Sequence, residues 1–259
     1  MSAITTPPPH AARGSAMWRL TITELKLLAR ERARMILGTA LPVVLLVIFG
    51  SISFYKKPQK FLGGHNLLSY YTPVLIAFAL ALFALVMMPM VLAGYREAGI
   101  LRRLRTTPAG PGRVLAAQLA AAVAVAVLRL VLILAVARIG FGVVLPRQAA
   151  GFAVAALLTI AGLLAVGLFI AAVAPGTQAA QAIGMILLYP LMFFAGLFFP
   201  IPALPAFMQH LSYVTPLGAA VQALQDASGG QWPHPQQLLT LAAYAVVFSV
   251  AAARLFRWE

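Results

Sequence analysis

"TPVLIAFALALFALVMMPMVLAG", Thr72 to Gly94, contains no charged residue, and the stretch directly after it, "YREAGILRRLRTTPAGPGR", Tyr95 to Arg113, carries five arginines and one acid, Glu97. The first stretch is long enough to cross a hydrocarbon core of ~30 Å, which takes about 20 apolar residues in a helix. Arginines collecting where such a run ends mark a loop on the side of a membrane that retains basic residues. A membrane helix followed by a charged turn therefore sets the reading of the rest.

The pattern recurs along the chain. Of 259 residues, 62% are hydrophobic and 9% charged, with a mean hydropathy of +0.94. Water-soluble domains are roughly 45–50% apolar. Six runs read as spans: Met35–Phe54, Thr72–Gly94, Val114–Val136, Phe152–Ala174, Ala179–Phe199 and Leu238–Leu255. They are unbroken, whereas barrel strands alternate over about ten residues. Pro42 and Pro190 fall inside spans, where neighbouring helices can satisfy the carbonyls they free. The expected fold is an all-α integral membrane protein with six transmembrane helices. Residues 1–34 form a cytoplasmic leader with an interface helix, and 35–259 the membrane domain, with a loop at 95–113 and an outer segment at 200–237.

Orientation follows from basic residues. Thirteen lie before the first span, in the loop after the second, or in the tail, against four (Lys56, Lys57, Lys60, Arg147) on the other side. That asymmetry places both termini and the 95–113 loop in the cytoplasm. The start of the chain, to Ala16, is polar, unlike a secretory signal peptide. The net charge of +14 is spent at span ends, where it meets anionic lipid. No polar domain is present to bind nucleic acid, and none is expected to bind. The chain has no cysteine, which excludes disulfides and thiolate metal sites.

Three stretches have structure beyond the spans. In "WRLTITELKLLARERAR", Trp18 to Arg34, a helix would align Arg19, Lys26, Arg30 and Arg34 opposite Trp18, Ile22, Leu25 and Ala29, with Glu24 between. This is an interfacial helix, interrupted by Leu20 and Leu27, or else a solvated leader. Arg96 to Arg105, taken as one helix, gathers Ile100, Leu101 and Leu104 in an arc of about 100° and sets Arg96, Arg102, Arg103 and Arg105 against them. It serves as a plain positive anchor or as a helix that docks on a cytoplasmic partner. The outer segment carries two apolar pieces too short to span, and Thr215 before Pro216 reads as a helix start.

The acids are Glu24, Glu31, Glu97, Asp226 and Glu259, none of them within a span. A proton-driven carrier generally needs one there. No phosphate-binding loop and no catalytic constellation is present, so the chain is not expected to be an enzyme, and no metal site is expected from its scattered outer histidines. Arg129 interrupts the third span. It snorkels to the outer boundary, or it lines a polar route together with Gln118, Thr177, Gln178 and Gln181. Gly162, Gly167, Gly184 and Gly196 suit close helix packing.

The order of these parts resembles the membrane subunit of type-2 ABC exporters. Three places carry the likeness: "REAGILRRLRTTP" (Arg96–Pro108), "FFAGLFFPIPALPAFMQHLSYVTPLGAAVQAL" (Phe193–Leu224) and "ELKLLARERARMIL" (Glu24–Leu37). The resemblance implies a separate cytoplasmic ATPase subunit that uses ATP and magnesium, while this chain has no cofactor. It implies two permeases, identical or paralogous, in a bacterial plasma membrane, with the drug-exporter branch nearest. It also implies an ATPase-coupling contact through Arg96, Glu97, Gly99, Leu101, Arg102, Arg103, Leu104, Arg105 and Pro108. Phe193, Phe194, Gly196, Phe199, Pro200 and Pro216 would belong to an outer gate. A membrane scaffold without transport and a gradient-driven carrier remain as alternatives.

Overall fold

The computed structural model describes residues 32–58, 66–99 and 111–255. Its helices are α1 (Arg32–Ser51), α2 (Ser53–Lys56), α3 (Leu67–Ala81), a π-helical turn (Leu82–Met87), α4 (Met88–Glu97), α5 (Pro111–Phe141), α6 (Ala149–Val173), α7 (Thr177–Phe194), a 3-10 turn (Ile201–Ala203), α8 (Ala206–Val214), α9 (Pro216–Gly229) and α10 (Pro235–Leu255). Among the described residues, five stretches are long and apolar enough to cross a membrane: Leu67–Glu97, Ala116–Phe141, α6, α7 and α10. The apolar part of α1, Gly38–Ser51, is shorter, although α1 itself runs for 20 residues.

Four boundaries differ from those read in the sequence. Span two begins at Leu67, because Asn66 caps it by accepting from the Ser69 amide at 2.8 Å. Span five stops at Phe194 rather than Phe199, because Gly196 takes a left-handed φ of +80°. Arg34 falls within α1 rather than ahead of it. A single helix from Arg96 to Arg105 does not form: α4 ends at Glu97, and Gly99, at φ +67°, turns the chain away. Residues 100–110, including Leu101, Arg102, Arg103, Leu104, Arg105 and Pro108, lie outside the described residues, as do Trp18, Glu24, Lys26 and Arg30.

Span two is the axis of the bundle. Of its most apolar window 78% is buried, against 11% for α10. On one side it packs α1 and α5, and on the other α6 and α7. Its π-helical turn lies just before Pro89. Proline has no N–H to give the Leu85 carbonyl and its ring crowds that group, so the helix widens there. Neighbouring helices meet the widened turn with glycine. A Cβ on Gly167 of α6 would overlap the Ala84 carbonyl oxygen, and one on Gly184 of α7 the Leu85 carbonyl oxygen. Gly162 similarly lies against Leu241 of α10, where a Cβ would stand 3.2 Å from its carbonyl. These three glycines allow close approach as expected. Gly196 is close to its neighbours too, its Cβ position 3.0 Å from Ile201 Cγ1 and 3.2 Å from the Tyr70 hydroxyl, and it makes the left-handed turn besides.

Candidate functional site

At one end of the bundle, α4 and α6 finish and α7 begins close together, and each helix end leaves backbone groups without partners. Arg96 and Glu97, the last two residues of α4, divide those groups between them. Arg96 donates through Nη1 to the Ala171 carbonyl at 3.4 Å and through Nη2 to the Ala174 carbonyl, both at the C-terminal end of α6. Glu97 accepts through Oε1 from the Thr177 amide at 3.0 Å and through Oε2 from the Thr177 hydroxyl at 2.5 Å, at the first residue of α7. The helix dipole gives a C-terminus partial negative charge and an N-terminus partial positive charge, so each side chain meets the polarity that suits it.

The local sequence explains why the cap comes from another helix. The N-cap of α7 is Gly176, which has no side chain to bond the first amides. Its bareness is also required, because a Cβ there would overlap the Glu97 carboxylate. Gly94, one turn back on α4, faces the Thr177 hydroxyl, 3.6 Å from where its own Cβ would be. Glu97 is exposed and Arg96 half-buried, so the clamp sits at the edge of water. Thr177, grouped in the sequence with a polar route, is committed to Glu97 instead. Gln178 and Gln181 lie exposed on the next turns of α7.

Arg129 has a different place. It is 2% exposed and therefore does not snorkel. Its guanidinium lies 4.5 Å from the Phe83 ring centre and donates to the Met87 sulfur at 3.6 Å, both in the π-helical turn. Gly38 of α1 closes the third side, with its Cβ position 3.6 Å from Arg129 Nη1. The arginine is thus held inside the bundle by a cation–π contact, apart from the exposed glutamines. Gln118, on the same helix, is buried, and its Oε1 has no hydrogen-bond partner among the described residues.

At the opposite end, where α7 meets α8, the closing bonds are between neutral groups. The rings of Phe193 and Phe194 meet edge to face at 5.5 Å, where α7 finishes. Ser212 of α8, fully buried, donates to the Phe194 carbonyl at 2.6 Å and accepts from Gln222 at 3.2 Å. Tyr70 accepts from the Ile201 amide at 2.8 Å and stands beside Gly196. Thr215 caps α9 through the Gly218 amide at 3.2 Å, with Pro216 in the first turn as expected. Phe199 is exposed and Pro200 half-buried, so the residues that the resemblance would assign to an outer gate differ in surroundings, and Pro216 stands apart from the other five in the chain. Beyond them His234 and Gln237 both reach Asp226 Oδ2, at 2.9 and 2.7 Å, so His234, an exposed side chain, is paired with a carboxylate.

A bundle of long apolar helices, tied at one end by a charged clamp and at the other by neutral hydrogen bonds, is a multi-pass membrane protein. A profile of the ABC-2 type transporter family matches residues 15–227, and the chain belongs to that family, the membrane permeases of type-2 ABC transporters. It is a transporter permease subunit, a transport component and not itself catalytic, and permeases of this family normally pair with an ATPase subunit. No individually curated protein matches the chain.

Proposed function

We propose that the chain is one half of the membrane pathway of an ATP-driven exporter in a bacterial plasma membrane, with both termini cytoplasmic and six spans. Two copies, or one with a close paralogue, form the pathway, and a cytoplasmic ATPase subunit holding ATP and magnesium drives it. Arg96, Glu97, Gly99 and the basic segment from Leu101 to Pro108, with the leader helix, are the ATPase contact. The segment 200–237 re-enters the outer leaflet, and Phe193 to Asp226 form the gate. The small outer segment favours the drug-exporter branch.

The clamp carries this reading. Arg96 and Glu97 immediately precede the basic segment, and they grip the ends of α6 and α7. A push on that segment would reach three spans at once. Because both contacts involve a charge at the edge of water, they can loosen and remake without leaving a buried ion stranded.

The test uses the chain reconstituted in vesicles with its ATPase. Replacing Leu101 and Leu104 by aspartate should abolish export while leaving insertion and ATPase hydrolysis in place. Undiminished export would refute the docking assignment. Solute flux without any ATPase would point to a gradient-driven carrier.

A further inference from the structure

At the end of the bundle opposite the clamp, a cavity of about 210 Å³ opens between α3, the link after α5, and α9. Its inner wall is formed by buried Thr72, Ile76 and Phe152, and exposed Val144, Arg147 and Gly229 stand at its mouth. Arg147 is the one charged residue of the lining. The backbone fixes its position. The Gln148 amide donates to the Ala227 carbonyl at 3.0 Å, tying the link to α9. The Arg147 stem lies on Gly230, 3.4 Å from where that residue's Cβ would be. Its guanidinium makes no hydrogen bond or ion pair with any described residue. The acid of α9, Asp226, is occupied by His234 and Gln237.

We infer that this cavity is a binding site for the head group of an anionic phospholipid bearing free hydroxyls, of the phosphoglycerol kind. The cation at the mouth calls for an anion, and the cavity lies where apolar helices end, the depth at which lipid phosphates are found. Two of the lining hydroxyls, those of Thr72 and Ser228, refine the choice. Thr72 donates to the Leu68 carbonyl at 2.8 Å and Ser228 to the Leu224 carbonyl at 2.7 Å. Each hydroxyl has given away its proton and offers only acceptor lone pairs. A matching ligand accepts at Arg147 and donates O–H groups further in. A phosphocholine head offers the same phosphate to Arg147 but has no O–H to donate, and its trimethylammonium would set a second cation beside the first. The volume is below the ~300–1,000 Å³ of drug-sized sites, which suits a head group whose chains leave over exposed Val144 and Leu145.

Native mass spectrometry of the full chain, purified in mild detergent and offered phosphatidylglycerol and phosphatidylcholine in equal amounts, tests this without ATPase or cargo. The wild type should retain phosphatidylglycerol preferentially. Arg147→Gln should reduce that preference about fivefold, the effect of one basic group near lipid phosphate, while Arg147→Lys should keep most of it. Ser228→Ala should narrow the preference for phosphatidylglycerol over phosphatidic acid. An unchanged preference in Arg147→Gln would overturn the site. So would Arg147-dependent binding of soluble glycerophosphoglycerol that lipid does not displace, since the occupant would then be a free phosphodiester.

Discussion

The two ends of the bundle close their helices by opposite means. At the clamp, an arginine and a glutamate meet carbonyls and amides at the edge of water. At the other end, Ser212, Thr215, Tyr70 and Gln222 do the same work with neutral bonds, anchored on the fully buried Ser212, and the Asp226 carboxylate is spent on joining α9 to the start of α10. Charge at a wet surface is worth little to stability and can be exchanged for water. A buried neutral bond is costly to lose, because its partner is left without one. One end is built to shift, the other to hold.

Matched substitutions separate these roles. Gly218→Ala should have the largest effect on stability, because the new Cβ would overlap the main-chain carbonyl of Ser212, which cannot swing away; about 1–3 kcal/mol is expected, read as a lowered Tm in detergent. Ser212→Ala comes next, at about 1–2 kcal/mol, since the Phe194 carbonyl and the Gln222 amide both lose their partner. Thr215→Ala removes one cap, for about 1 kcal/mol. Gly176→Ala should barely move the Tm, because its Cβ meets only the far end of the Glu97 side chain; ATP-coupled transport should nevertheless fall, as it should in Glu97→Gln. If Gly176→Ala lowered the Tm as far as Gly218→Ala, the distinction between the ends would fail.

The spans were legible because twenty apolar residues in a row have few other uses. Their ends were not. Gly99 and Gly196 each stop a helix by taking a positive φ, and nothing beside them in the sequence distinguishes that role from the packing role of Gly167 or Gly184. The clamp was half visible. Glu97 stood out as the one acid among arginines, but Thr177 lies 80 residues away. A signal existed at that helix start, where Gly176 offers no side chain as a cap and so calls for an acceptor from elsewhere. Arg129 was unreadable in kind: hydropathy does not say which face of a span looks inward, and its partners Phe83 and Met87 sit on another helix.

Helix α9 has 14 residues, about 21 Å, and is too short to rest in lipid as a span. Its sides press on α6, α3 and α10. Since α10 follows it in the chain, the slot for α9 is incomplete when α9 leaves the ribosome. Docking of this helix should therefore follow insertion of α10, and a chain cut short before Pro235 should keep its earlier spans yet leave one wall of that slot missing.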